Sequence, residues 1–512
     1  MYEGKTIKQL YQKGEGIRER YLDIARDNSE ITIPYLYTDL GFSKGDTLDK
    51  PYQSLGARGV NHLSSQLLNI LFPTDRPYFR LTFGGIEAQE LDPDIAGQVE
   101  DKLIEIEKTI QTDFDKKALR SSLFTALKLL LVGGTVLISN LDNNFRVVKL
   151  NKFVVDRKAN KSLNYVCVLD TISKEKAQEI APHVVEKQNK ETYTLYTAQF
   201  WQENGSVIIK QELEGEELTQ HKFKKPQMLV VTSNLLDEED YGRSYVEELQ
   251  GDLFTFERLS EAIVQSASIA AKSIYLVDPG GLTRGRDLAR ANHGDVISGR
   301  VTDVHVLQSE KNNDLQIVFT QAQELKDRLG KAFLLASESF PNRQLTATEA
   351  RARISEIEAG LGGIYSTLSQ TLQMPFLELL IENLESKGQI PELPKGVSVN
   401  IVTGLDLMNR KTELQNISEF VQFAAGLGDQ ALGMLDVQSI MINIARSIGL
   451  DPTEYIIDPS QGPDPAVAQQ QALQQALQQG IAGAADGVGN AAQVGSEQMM
   501  AEQMRAALGG QQ

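Results

Sequence analysis

DYGRSYVEELQGDLFTFERLSEAIVQSASIAAKS, residues 240–273, is long enough for about eight helical turns. Val246, Leu249, Leu253, Phe256, Ile263, Ala267, Ala270 and Ile274 recur at steps close to 3.5 residues and form one apolar stripe. Glu247, Gln250, Glu257, Glu261, Gln265 and Ser268 fall on the opposite arc, with Phe254 the exception. A helix of this length, roughly 42–45 Å, must pack against other long elements, either in a bundle within the chain or against copies of itself. Its taper from aromatic residues to Ser and Ala predicts close helix–helix approach at the far end.

A partner of similar length follows. QIVFTQAQELKDRLGKAFLLASE, residues 316–338, reads as a second helix, and the Gly- and Arg-rich stretch between them returns the chain to meet it. The expected unit is a long antiparallel pair carrying a small module, although a four-helix bundle inside one monomer fits the same pattern. SFPNRQL breaks the helical pattern at Pro341 and Asn342, and Thr346-Ala-Thr-Glu349 restarts it with a capping box. Ala350, Ile354, Ile357, Leu361, Ile364, Leu368 and Leu372 then share a face. Gly360, Gly362 and Gly363 inside that pattern, and Pro375 beyond them, predict a bent helix.

The N-terminal side reads as α+β. Helices are expected at 7–27, 51–73, about 95–116 and 118–132, the second with Leu55, Val60, Leu63, Leu67, Leu68 and Leu71 on its apolar face. YFRLTF (78–83) and TVLIS (135–139) read as strands, followed by FRVVKL, KFVVD, NYVCVLD, ETYTLYTAQFW, GSVIIK and QMLVVTS between 145 and 233. No βαβ cadence links them, which argues against a doubly wound nucleotide fold. From about 387 to 455 the pattern is helical with Pro and Gly breaks, and beyond Pro463 the chain is Gln/Ala/Gly-rich.

Length and composition set limits. At 512 residues, 41% hydrophobic and 23% charged, the chain is expected to fold into two to four globular regions. The one cysteine, Cys167, excludes an internal disulfide framework. The charged start MYEGKTIKQLYQKGEG holds no signal-peptide core, and the longest apolar run, LLLVGGTVLIS (129–139), is too short to span a bilayer, so a soluble chain without membrane contact is expected. The formal net charge of −18 argues against a groove-filling nucleic-acid binder, which needs clustered Lys and Arg. It does not argue against a protein past which DNA must slide.

No catalytic constellation emerges. GGLTRGRD (280–287) has phosphate-loop glycine spacing, but Arg286-Asp287 stands where Lys-Ser/Thr is required. His62, His183, His221, His293 and His305 are scattered without ligand spacing. Glu238, Glu239 and Asp240 read as a solvated charge run, and His221-Lys-Phe-Lys-Lys225 as a basic surface patch. Neither an enzyme, a cofactor nor a metal site is expected.

Several collinear stretches carry a resemblance: ARGVNHLSSQLLNILFP, SLFTALKLLLVGGTVLI, YGRSYVEELQGDL, AIVQSASIAAKSIYLVDPGG, GDVISGR, GLGGIYSTLSQTLQMPFLELL, and QIPELPKG with its trailing TGLDLM. From about residue 10 to 455 the chain resembles the portal (head–tail connector) proteins of short-tailed, autographivirus-type podoviruses. The resemblance implies a mainly helical α+β portal fold, twelve copies in a ring at one capsid vertex, and a central channel for double-stranded DNA. It implies a wing over 1–240, stem helices at 241–273 and 316–338 flanking a clip at 274–315, and a channel loop at 339–347. A kinked wing helix over 348–390 and a helical crown over 391–460 would follow, with 461–512 a low-complexity tail.

It also implies the partners: terminase large subunit, tail adaptor and tail tube proteins, major capsid protein, scaffolding protein and internal core proteins. Assembly would occur in the host cytoplasm and residence in the virion. On this mapping Glu247, Glu257 and Glu261 are candidates for the stem's polar face, and Asn342, Arg343 and Gln344 for DNA contact in the channel loop. Arg284, Arg286, Arg290 and Arg300 are expected to give the clip a local positive excess for acidic partners. A packaging-motor ATPase lacks its phosphate loop here; a helical virion scaffold without a channel is the other alternative.

Overall fold

The computed structural model describes residues 4–38, 45–74, 77–83, 93–141, 145–188, 190–270, 274–307, 312–335, 365–394 and 396–401. All of them belong to one compact unit drawn from 1–343 and 357–403; the second unit, 344–356 with 404–512, lies outside the described residues.

Helix α1 (Ile7–Glu30) opens on a capping box: the Thr6 hydroxyl accepts the Gln9 N–H, and the Gln9 side chain accepts the Thr6 N–H. Its first-turn amides at Ile7 and Lys8 also donate to the buried Glu212 carboxylate, at 2.6 and 3.2 Å. A carboxylate at that end opposes the helix dipole. Helix α2 (Leu55–Leu71) buries all six residues of its expected apolar face. With α3 (Pro93–Lys116) and α4 (Leu119–Gly133) it builds the main core, where Phe72, Tyr78, Phe114 and Phe376 meet at ring-centroid distances of 4.8 to 6.4 Å.

Every strand pairing among the described residues is antiparallel. Strand β2 (Thr135–Ser139), buried at all five positions, lies between β3 (Arg146–Val148) and β9 (Met228–Thr232). A five-stranded meander follows in chain order: β4 (Phe153–Arg157), β5 (Leu163–Ser173), β6 (Thr192–Trp201), β7 (Val207–Leu213) and β8 (Glu216–Phe223). Three of its elements escape sequence reading. The edge strand EELTQHKF has no apolar alternation, and a two-residue Glu214-Gly215 turn, positive in φ at both positions, reverses the chain into it. The short helices α5 (Lys174–Ile180) and α6 (Pro182–Gln188) have two turns each, too few to show a period.

Three expectations need correction beyond residue 240. The first long helix, α7 (Tyr245–Ala270), starts at Tyr245 rather than 241, because Ser244 caps it; residues 271–273 lie outside the described residues. A two-stranded ribbon, β10 (Ile274–Val277) with β11 (Val304–Leu307), encloses the short helix α8 (Gly285–Arg290). The second long helix, α9, runs Asn312–Ala332 and stops six residues before the expected 338. It stops because Phe333 is wedged against Gly59 of α2 and Leu334 takes φ +58. The last described segment holds a π turn (Ser369–Gln373), α10 (Met374–Ser386) and β12 (Val397–Ile401). Strand β12 corrects the all-helical reading after 387: it pairs with β1 (Phe79–Phe83), Phe79 opposite Ile401.

One backbone crossing places α7. Gly134, the C-cap of α4, has φ +72, and a Cβ there would stand 2.1 Å from the Gly242 carbonyl oxygen. A Cβ on Gly242 would stand 2.8 Å from the Gly134 oxygen in turn. Gly134→Ala combines left-handed strain with a backbone clash and is expected to cost about 2–4 kcal/mol. The fall in thermal unfolding temperature is the measurement, and it should exceed that of a Gly205→Ala control, which shares the left-handed strain (φ +81) but whose Cβ meets open space.

Candidate functional site

The root of α7 is built from groups the sequence reads as a solvated acidic run. Ser244 Oγ accepts the Glu247 N–H at 3.0 Å, and Glu247 Oε2 accepts the Ser244 N–H at 3.4 Å, closing a capping box. The same hydroxyl accepts from Asn28 Nδ2 at 2.9 Å; Asn28 also donates to the Val132 carbonyl. Arg243 spans Glu239 and Glu247 and lies over the Tyr21 ring, 5.4 Å from its centroid. Its bonds to Glu239 and then Glu247 hold its proton more tightly than usual. Asp240 accepts the Arg157 N–H at 3.0 Å, and burial raises its carboxyl above the ordinary range. Glu239 and Asp240 are therefore structural ties.

From this root α7 and α9 run antiparallel. Tyr245 donates to the Ala332 carbonyl at 2.8 Å, and Arg328 pairs with Asp252 at 2.6 Å. Val246 and Leu253 on α7, and Ala322, Leu325 and Leu329 on α9, are buried. Farther out the cover fails. Ile263 is half-buried and Ala267 exposed. Phe254 (50%), Val264 (51%), Ile317 (64%) and Phe319 (61%) stand open to solvent in the single chain.

The three stem carboxylates are not equivalent. Glu247 belongs to the cap just described. Glu257, on the edge of its arc nearest the buried stripe, accepts the Tyr52 N–H at 2.7 Å and the Gln53 N–H at 3.2 Å. Among the described residues Glu261 bonds only to Arg258 and Gln265 of its own helix, at 3.2 and 3.1 Å.

The tip module between the helices is organised by Asp303. Its Oδ2 accepts the N–H groups of Leu282 and Thr283, at 2.8 and 3.0 Å, and the Thr283 hydroxyl at 3.1 Å. Those donors, Thr283 first, lower its carboxyl pKa. The phosphate-loop look-alike is thus wrapped around a carboxylate of its own chain. The expected positive excess fails as a count, since Asp278, Asp287, Asp295 and Asp303 match the four arginines over 274–307. Placement restores the asymmetry. Asp278, Asp295 and Asp303 each accept backbone amides, whereas Arg284, Arg286, Arg290 and Arg300 are all exposed without an ion pair to any described residue. Leu282, Val296 and Val301 are exposed beside them.

Other expected residues stand elsewhere. Pro375 is the second residue of α10, directly after the π turn, where its missing N–H is tolerated. Asn342, Arg343, Gln344, Gly360, Gly362 and Gly363 lie outside the described residues. The basic patch is tethered: Lys224 pairs with Glu392 at 3.0 Å and Lys225 with Glu378 at 2.9 Å. Among the described residues no helix is long and apolar enough to cross a membrane.

Known proteins resemble this chain over nearly its whole length. Residues 4–456 match the family described as "Bacteriophage head to tail connecting protein". The portal protein of Escherichia phage T7 is 33% identical, covering 96% of each chain. That of Enterobacteria phage T3 is 32% identical over 98% of this chain and 97% of its own. That of Enterobacteria phage SP6 is 28% identical over 81% and 82%. A solved neck of a gene transfer agent particle, at TM-score 0.32 and 11% identity over 76% of this chain and 99% of its own, is too distant to carry an argument. The chain belongs to the head-to-tail connecting family of bacteriophages.

The root makes a sharp expectation. Ser244→Ala removes a helix cap, about 1 kcal/mol, and strips a buried Asn28 N–H of its acceptor, about 1–3 kcal/mol more. Amide exchange in the first turn of α7 should accelerate, and Ser244→Thr, which keeps the hydroxyl, should restore most of the protection.

Proposed function

We propose that this connector works as a closed ring of twelve copies at one vertex of the phage head. Double-stranded DNA passes through it inward during packaging and outward at ejection. The ring receives the terminase large subunit and afterwards the tail adaptor and tail tube proteins. It nucleates head assembly with the major capsid, scaffolding and internal core proteins in the host cytoplasm, and stays in the virion.

The observation that carries this reading is the uncovered apolar surface along the helix pair. Phe254, Val264, Ile317 and Phe319 are too many large apolar groups for a solvated helix hairpin, and a neighbouring copy is the simplest cover. Charge supports the conduit. Each copy contributes −18, and a bore of acidic character repels phosphate so that DNA slides rather than binds. Of the three stem carboxylates Glu261 is the one left to face the bore. In the proposed channel loop, Arg343 with Asn342 and Gln344 would offer a single exchangeable phosphate contact per copy. The outward arginines of the tip suit acidic surfaces of the motor and tail proteins.

Purified protein should sediment near twelve times 56.6 kDa and give end-on rings with a central hole in negative stain. A stable monomer, or a closed particle without a hole, would favour the channel-free scaffold. Within such rings, Arg284→Glu with Arg300→Glu should leave assembly intact yet lower packaging or tail joining at least about tenfold, because like charges then face each other across the joint. Unchanged phage yield would remove the tip from partner binding.

A further inference from the structure

Glu257 was expected on the stem's polar face and instead reaches back to the body. Its acceptors hold the N–H groups of Tyr52 and Gln53, just before α2 begins. Gln53 is buried and passes the connection on: Nε2 donates to the Ile31 carbonyl at the end of α1 (2.7 Å), and Oε1 accepts the Gly56 N–H in the first turn of α2 (2.8 Å). One turn later Gly59 meets Phe333, whose ring would stand 2.4 Å from a Cβ placed there. Phe333 packs edge-on to Tyr245, 6.2 Å between centroids, and Tyr245 bonds Ala332. The contacts form a closed circuit: α7, the residues before α2, α2, the end of α9, and α7 again.

The members of that circuit differ in how easily they part. Phe333 is fully buried and Gln53 nearly so, whereas Tyr52 is half-exposed and its bond to Glu257 lies on the solvent side. Among the described residues Glu257 is also the outermost polar tie between α7 and the body: the bonds beyond it, at Arg258, Ser260, Glu261 and Gln265, stay within the helix. It sits about 18 Å along the helix from its start at Tyr245, so a small opening there becomes a larger swing at the tip. Surface ties of this kind occupy the low-stability end of local opening.

We propose that Glu257 is a latch that sets the tilt of the α7–α9 pair against the body. Closed, it makes the pair and the first turns of α2 one rigid piece; open, it frees the pair to pivot about its Ser244 root. That the tilt matters to a channel rests on the ring reading above; the latch itself is a property of one chain.

The test compares full-length wild type, Glu257→Ala and Glu257→Gln by residue-resolved hydrogen exchange and by reconstruction of the particles. Glu257→Ala should speed exchange at Tyr52 and Gln53 on the order of tenfold, raise it at Gly56 to Gly59, and broaden the angle of the helix pair. Glu257→Gln, which keeps one acceptor, should fall between. Unchanged exchange at Tyr52 and Gln53 would mean that no latch exists. Faster exchange there with α2 protection and helix angle unchanged would reduce Glu257 to a local cap and overturn the proposal. If a variant does not assemble, the exchange comparison is made on unassembled chains, where faster exchange spreading into α2 supports the latch and exchange confined to 52–53 overturns it. A wild type that makes no rings would sink the conduit reading while leaving the exchange result to decide the latch.

Discussion

The placement of the long helix pair depends on two peptide units that touch where side chains are forbidden. At the end of α4 the chain turns through Gly134 in the left-handed region, and the Gly242 backbone crosses it at a distance no Cβ could survive. Around that crossing Thr135 accepts the Gly242 N–H, and Gly134 accepts that of Ser233. Two residues later Ser244 starts α7 with its hydroxyl shared between the helix cap and Asn28 of α1. A buried sheet, the first helix and the root of the pair are thereby fixed within a few residues, and the direction of α7 is set before its own apolar stripe takes part.

A second theme is the use of carboxylates. In a chain of net charge −18, Glu212, Glu107, Asp240, Glu257 and Asp303 each accept backbone N–H groups at a helix start, a strand edge or a loop. Ionised acceptors make stronger bonds than neutral ones, so these residues add directional ties to segments that also bury apolar side chains such as Ile7 and Leu81. Formal charge overstates how much negative surface is free. The tip is the clearest case: acids and arginines balance by count, yet three of the four acids, Asp278, Asp295 and Asp303, accept amides while the arginines are exposed.

Much of this was legible because apolar periodicity survives folding. The stripe of α2, the buried β2 and the strands from 146 to 232 follow the pattern of their residues, and the helix pair follows from its length. What escaped had other causes. Strand β8 is a polar edge held by its neighbour and a tight turn, and β12 exists because β1 needs a partner 314 residues away. The end of α9 is decided by Gly59, far off in sequence. Glu257 and Glu261, four residues apart, share a face, and Glu257's place at the edge of that arc names no partner by itself. Only the segment before α2, brought alongside by the fold, separates them.

The taper of α7 can now be related to its two environments. Near the root, large side chains meet a core inside the chain: Val246 and Leu253 are buried, and Leu249 and Phe256 pack against the same cluster. Beyond Glu257 that core ends, and residues 266–268 are Ser-Ala-Ser. An isolated hairpin would gain nothing from shrinking its side chains there, because solvent imposes no limit on size. A neighbouring helix does: small residues let two backbones approach, and Phe254 and Phe319 supply apolar area where the spacing is wider. In the proposed ring the copies therefore converge toward the tip, and the small residues mark the narrow end. The taper is a statement about neighbours.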